Sequence, residues 1–320
     1  MNTTLSLLKP TGHLTLGNLL GALRPMALAQ DGSDCFYGVC DLHALTVAQD
    51  PARLRASVRE VATLLLAAGL ERSTLFIQSH VPSHSELAYL LESTAYVGEL
   101  NRMIQFKEKG RGQPSTRASL FTYPTLMAAD ILLYRPTQVP VGEDQRQHVE
   151  LTRDLAIRFN ATYGPVFTVP ELVRPALGAR VMDLADPSSK MGKSHADGSG
   201  IIYLLDSPDV IRRKVARAVT DSDTGSDAVR RDPVNKPGVT NLIELLEAAG
   251  GSLESITTYG ALKTATTEVV VELLRPLQVR YAELAQHPDH VQARYAAGAA
   301  RCREVTAPVL LDAQAAMGIG

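Results

Sequence analysis

The chain has 320 residues, 45% hydrophobic and 21% charged, with a formal net charge of −2. A chain of this length buries a substantial core as one large or two medium domains, and this composition excludes disorder and any global basic character that would bind nucleic acid. Cys35, Cys40 and Cys302 form no C-x-x-C pair and no even framework, so reduced thiols are expected. The longest apolar runs, such as residues 61–70, are too short to span a bilayer, and the N-terminus lacks a charged-then-apolar leader. A cytoplasmic protein with no membrane partner is therefore expected. Tryptophan is absent from the composition.

Residues 5–8 form a short apolar run that ends at Lys9-Pro10-Thr11-Gly12, a strand stopped by a Pro/Gly turn. A helix is expected over residues 19–23. Strand, glycine turn and helix open a nucleotide-binding α/β unit, because first-turn amides and the positive dipole end face phosphate. An ordinary strand–helix connection has the same look. Residues 35–40 read as a buried strand running into Asp41-Leu42-His43, where polar residues at a strand's carboxyl end face the ligand crevice. Residues 52–70 form a helix with Asp50 as cap, Pro51 in the first turn and Gly69 at the end. Residues 74–78 are a third strand, so a doubly wound parallel sheet is expected. Taken singly, His43 and His80 are structural histidines.

Residues 83–109 read as two helical pieces, followed by a polar, basic loop over residues 110–114. In the next helix, residues 123–134, Met127, Asp130, Ile131 and Tyr134 share one face. Asp130 is a carboxylate in an apolar stripe. Burying even a neutral polar group without a partner costs on the order of 2–7 kcal/mol. Its partner is either a ligand N–H or a basic neighbour such as Arg135. Residues 139–145 read as a strand entering a glycine turn, with Glu143 and Asp144 either capping the following helix, residues 146–159, or binding ribose hydroxyls. Residues 166–169 are expected to be another strand.

Lys190-Met191-Gly192-Lys193-Ser194 places two lysines three apart in a loop. Mobile ammonium groups there can follow a polyphosphate as charge moves in a reaction, although an isolated K-x-x-K is more often a solvated turn. Beyond residue 200 the texture becomes helical: residues 209–219, 241–249, 264–286 and 290–316, with a polar loop over 225–238. The expected division is a catalytic domain over residues 1–200, with a helical insertion at about 83–135, and a helical domain over residues 201–320.

Together these segments resemble the class I aminoacyl-tRNA synthetases, and within them the tryptophanyl family. Pro10-Thr11-Gly12-His13-Leu14-Thr15-Leu16-Gly17-Asn18 is similar to that family's HIGH signature, and Lys190 to Ser194 to its KMSKS loop. Gln105-Phe106-Lys107-Glu108-Lys109, Met127-Ala128-Ala129-Asp130 and Val141-Gly142-Glu143-Asp144-Gln145 match in wording and order. The resemblance implies a Rossmann-like catalytic domain with a helical anticodon-binding domain. It also implies activation of L-tryptophan by ATP, with Mg²⁺ assisting, and transfer to tRNA(Trp) by a homodimer. No metal ligand set of the protein's own is implied.

The resemblance assigns catalytic roles to Thr15, Asn18, Lys109, Lys190 and Lys193, which would hold phosphates or follow the departing pyrophosphate. ATP contacts would come from Lys9, Pro10, Thr11, Gly17, Asn18, Gly142, Glu143, Asp144, Met191, Gly192, Lys193 and Ser194. The amino-acid pocket would be built from Leu5, Leu7, Lys9, Asp41, His43, Gln105, Tyr123, Met127, Asp130, Val141 and Gln145. Asp130 would accept the indole N–H, and such a site rejects a substrate without that donor by a factor on the order of 10⁴. Three residues depart from the family pattern: Gly192 for serine, Lys9 for glutamine and Leu7 for glycine. Lys9 beside the pocket suggests altered tolerance of tryptophan analogues. The alternatives are a tyrosyl-tRNA synthetase, a non-charging paralogue that binds tryptophan or tRNA, and a small-molecule adenylyltransferase. The retained lysines, Asp144 and Asp130 favour the ligase.

Overall fold

The computed structural model describes residues 2–110, 112–136, 138–140, 145–173, 181–192 and 198–320. The chain runs β1 (Asn2–Leu8), α1 (Leu16–Asn18), a π-turn (Leu19–Leu23), α2 (Arg24–Ala29), β2 (Ser33–Val39), a 3₁₀ turn (Leu42–Thr46), α3 (Pro51–Ala67), β3 (Thr74–Ile77) and a second 3₁₀ turn (Gln78–His80). It continues through α4 (Ser83–Glu92), α5 (Val97–Leu100), α6 (Ile104–Lys109), α7 (Ala118–Leu132), β4 (Gln138–Pro140), α8 (Arg146–Tyr163) and β5 (Glu171–Val173). Among the described residues four helices follow: α9 (Pro208–Ala216), α10 (Pro237–Ala248), α11 (Tyr259–Ala285) and α12 (Pro288–Ala316).

The strands β1, β2 and β3 pair in parallel in that order, with Leu8 opposite Val39 and Val39 opposite Ile77. A second parallel pair, β4–β5, lies beside β1. Alternate residues of β2 enter different cores. Cys35, Tyr37 and Val39 pack with α3 and the later helices, whereas Phe36 joins Phe76 of β3 against α4, α7, α8 and α12. Burial on both faces is what a parallel sheet with crossover helices requires. The fold is thus α/β with a parallel sheet and a helical C-terminal region, as the residue pattern implied.

Local signals account for the first half of the chain. The Asp50 carboxylate accepts the Arg53 N–H at 2.7 Å to cap α3, and Gly69 ends that helix at φ +84°. The helix expected at residues 19–23 is a π-turn joining α1 to α2. Residues 83–109 make three helices instead of two. The strand expected at residues 166–169 does not form. The Asn160 side chain accepts the Val166 and Phe167 N–H groups at 3.0 and 2.9 Å and donates to the Phe167 carbonyl at 2.8 Å. Those backbone groups are therefore spent on a side chain, and the strand appears later, as β5. In the second half α10 and α11 start earlier than expected, at Pro237 and Tyr259.

The helix α12 returns to the sheet. Gly298 sits so close to β3 that a Cβ there would lie 1.8 Å from the Leu75 carbonyl oxygen. Arg294 donates to the Ser73 carbonyl at 2.9 Å, Arg303 to the His80 carbonyl at 2.8 Å, and Thr306 to the Ser83 hydroxyl at 3.1 Å.

Candidate active site

The turn after β1 and the segment carrying the two lysines meet. Thr15 forms an antiparallel bridge with Tyr203, the Leu16 N–H donates to the Ile202 carbonyl at 2.8 Å, and the Leu204 N–H to the Leu14 carbonyl at 2.9 Å. Gly17 lies against Met191: a Cβ on Gly17 would be 3.4 Å from the Met191 carbonyl oxygen. Lys190 bridges Met182, and the Met191 N–H donates to the Val181 carbonyl at 3.0 Å. Gly200 is packed against Asp183, whose Oδ1 would lie 1.7 Å from a Cβ there, so no larger residue fits without movement.

Thr15 and Asn18 form a reciprocal cap. The Thr15 N–H donates to Asn18 Oδ1 at 2.9 Å, and the Asn18 N–H to Thr15 Oγ1 at 3.4 Å. This cap sets the direction in which the first helical amides point. Pro10 is buried, Thr11 and Gly192 are half-buried, and Lys190 is exposed. Lys109 is exposed at the end of α6, and its charge reaches Lys9. Burial holds the Lys9 ammonium below its ordinary pKa; the Cys40 thiol opposes that shift and Lys109 adds to it. Lys9 donates to Thr46 Oγ1 at 3.2 Å, and the Thr46 hydroxyl donates to the His43 carbonyl at 3.0 Å.

Asp130 is 2% exposed and is surrounded by donors from distant parts of the chain. Gln78 Nε2 donates to Oδ1 at 2.7 Å, His84 Nδ1 to Oδ1 at 2.6 Å, and His43 Nε2 to Oδ2 at 2.8 Å. Burial alone would raise the carboxyl pKa, but the hydrogen bonds from His43 and His84 outweigh it and hold the group well below the ordinary carboxylate range, at about 2. Arg135 is not the partner: it takes φ +48° beyond α7 and pairs with Asp312 at 3.0 Å. The residues that sequence reasoning missed here are Gln78 and His84 as partners of Asp130, and Tyr134 as the partner of His84. Tyr134 shares the helical face of Asp130; Gln78, at the end of β3, carries only the general signal of a polar residue at a strand's carboxyl terminus.

Tyr123 lies 6.2 Å from His43, ring to ring, and its hydroxyl shares a 2.5 Å hydrogen bond with His148 Nε2. Burial pushes the Tyr123 phenol up to about 12. Met127 and Leu5 are half-buried and pack together on Ile131, Val139 and Val149. Leu7 lies over Gly38, where a Cβ would approach Leu7 Cδ2 to 3.0 Å. Gln105 and Gln145 are half-buried at the starts of α6 and α8. Asp41 accepts the Ser79 N–H at 3.0 Å and hydroxyl at 2.5 Å, tying the ends of β2 and β3 together. Val141, Gly142, Glu143, Asp144, Lys193 and Ser194 lie outside the described residues.

In the helical half, Lys214 is held internally. It donates to the Ile201 carbonyl and to Asp206, both at 2.7 Å, and anchors the segment that pairs with Thr15. Arg213 on α9 and Arg217 just past its C-terminal end are exposed. Among the described residues no helix is long and apolar enough to cross a membrane, and no group of three His, Cys, Asp or Glu side chains could hold a metal ion.

The family profile of class I tRNA synthetases (W and Y) matches residues 3–281. Tryptophan–tRNA ligase 1 of Streptomyces avermitilis is 54% identical, over all of this chain and 99% of that protein. Tryptophan–tRNA ligase of Halalkalibacterium halodurans is 45% identical over 99% of this chain and 98% of that one. The crystal structure of tryptophanyl-tRNA synthetase from Mycoplasma pneumoniae superposes with a TM-score of 0.90 at 35% identity, covering 100% of this chain and 98% of that one. That from Campylobacter jejuni, complexed with ADP and tryptophan, gives 0.85 at 29% identity, covering 99% and 100%. Its glycine turn packs on the lysine segment, Asp130 is buried and ringed by donors, and the chain belongs to the class I tRNA synthetases of the tryptophan and tyrosine family.

Proposed function

We infer that the protein is a tryptophan–tRNA ligase that converts tryptophan and ATP to tryptophanyl-adenylate and pyrophosphate, then passes the aminoacyl group to tRNA(Trp). The observation that carries the choice of amino acid is Asp130. An ionised carboxylate has about four acceptor directions. Two on Oδ1 and one on Oδ2 are filled by Gln78, His84 and His43, which leaves one on Oδ2 for a ring N–H.

The substrate carboxylate attacks the α-phosphorus, so no side-chain nucleophile is required and the protein's part is positioning and charge stabilisation. In this reading Thr15 and Asn18 orient the phosphates, Gly17 lets the nucleotide approach the backbone, and Met191 and Gly192 lie by the adenine. Lys109, Lys190 and Lys193 follow the pyrophosphate; Gly142 and Asp144 bind ribose. Tyr123, Gln105 and Gln145 fix the substrate's amino and carboxylate groups, with Met127 and Val141 along the ring. Mg²⁺ arrives with ATP, whose phosphate oxygens and water suit it better than a protein cage. Tryptophan-dependent ATP–pyrophosphate exchange and charging of tRNA(Trp) are the test. Exchange with tyrosine in place of tryptophan, or exchange without charging, would overturn this reading.

Three finer points complete it. Residues 201–320 supply the tRNA-binding part, with Arg213 and Arg217 on its exposed face. Two copies associate through a surface that includes Tyr89 and Val97, which are 69% and 73% exposed; Val97→Asp is expected to shift the sedimentation of the protein toward monomer. Lys9, fixed through Thr46 to the turn bearing His43, sets discrimination among tryptophan analogues. Lys9→Gln is expected to change the ratio of an analogue's inhibition constant to the tryptophan KM by about tenfold, the worth of one charged hydrogen bond. An unchanged ratio would remove that role.

A further inference from the structure

We propose that His84 is a positioning residue for amino-acid selection: its Nδ1–H holds the Asp130 carboxylate in the orientation that leaves an Oδ2 acceptor open for the substrate's ring N–H. This rests on the reading of Asp130 as the indole acceptor.

His84 lies on α4 and is 0% exposed, so it touches no substrate. Its two ring nitrogens have different partners, Asp130 Oδ1 at 2.6 Å and the Tyr134 hydroxyl at 3.0 Å. Because Oδ1 of the ionised carboxylate only accepts, Nδ1 carries a proton whether the imidazole is neutral or charged. In the neutral ring Nε2 then accepts the Tyr134 O–H. The ring plane is fixed by stacking on Phe76, with centroids 5.7 Å apart and an angle of 23°. His84 is thus locked at both nitrogens and on one face.

A carboxylate rotates about its last torsion with little preference, so its neighbours must supply the orientation. The three donors differ in how well they are fixed. Gln78 is held by accepting the Leu42 N–H at 3.2 Å, which determines which end of its amide faces Asp130. His43 sits in the turn after β2 with 12% of its side chain exposed, the most exposed of the three donors. His84 and Gln78 saturate Oδ1, which directs any further donor to Oδ2. The other groups facing the carboxylate are Cys40 at the end of β2 and the Tyr134 phenol beyond α7, both kept neutral by burial.

The test uses a near-isosteric pair. His84→Asn keeps a donor where Nδ1 stood; His84→Leu has the same shape without it. Both leave the same cavity and both lose Tyr134, so a purely structural histidine predicts equal behaviour. The readout is ATP–pyrophosphate exchange with tryptophan and with its benzothiophene analogue, in which sulfur replaces the ring N–H. The wild-type enzyme is expected to prefer tryptophan by roughly 10²-fold or more. His84→Asn should keep that preference within about threefold, and His84→Leu should lose at least about tenfold, through the tryptophan KM with the ATP KM unchanged. The acid limb of kcat/KM for tryptophan should move to higher pH in His84→Leu alone, since Asp130 has lost a donor to its charged form. Equal preferences in the two variants would overturn the proposal. A wild-type enzyme without preference would instead remove Asp130 as the acceptor, and the proposal with it. If neither variant folds, ¹⁵N-histidine NMR of the wild-type protein decides: a slowly exchanging, far-downfield Nδ1–H on His84 is expected, and an unprotonated Nδ1 would overturn the assignment.

Discussion

Asp130 concentrates most of the site's electrostatics in one side chain. Its folded pKa lies below the ordinary carboxylate value, so its contribution to stability is fully present above the unfolded pKa of about 4 and is lost as pH falls toward the folded value. Asp130→Asn should therefore flatten the decline of stability between about pH 4 and pH 2, as measured by denaturant titration at stepped pH. At neutral pH Asp130→Ala leaves His43, His84 and Gln78 facing a hole, and a loss of about 3–5 kcal/mol is expected from chemical denaturation. That Asp130 was buried and needed partners was legible from its place in an apolar stripe. Its partners were not, because they lie 87, 52 and 46 residues away and helical periodicity gives a face without saying what covers it. Lys214 shows the same limit: among the basic residues of α9, spacing alone does not separate the inward-facing cation from the solvated ones.

At the scale of elements, capping signals and apolar runs were sufficient where the backbone satisfies itself. They located β2, β3 and α3 within a few residues, and Asp50, Pro51 and Gly69 did there what their chemistry predicts. They failed at residues 166–169, where Asn160 provides what a neighbouring strand would otherwise provide. Asn160→Ala should strand two amides and a carbonyl, with a stability loss of about 1–3 kcal/mol in urea unfolding. The junction between α12 and β3 is equally exacting. Gly298→Ala pushes a methyl group into the Leu75 carbonyl, so overpacking of about 1–3 kcal/mol and a lower Tm are expected, with the tryptophan KM less affected than the stability.

For the whole molecule, the parallel sheet was expected from the strand–helix–strand order, and the meeting of the glycine turn with Met191 agrees with the resemblance, which has both contact one ATP. What pattern could not foresee is that the last helix is part of the sheet's own packing. Ala299, Cys302, Val309, Leu310 and Ala313 of α12 share a core with Phe36 and Phe76 of the central strands. A ribosome delivers these residues long after Phe36 and Phe76. One flank of the nascent sheet therefore stays open until α12 has emerged and can fold back onto β3.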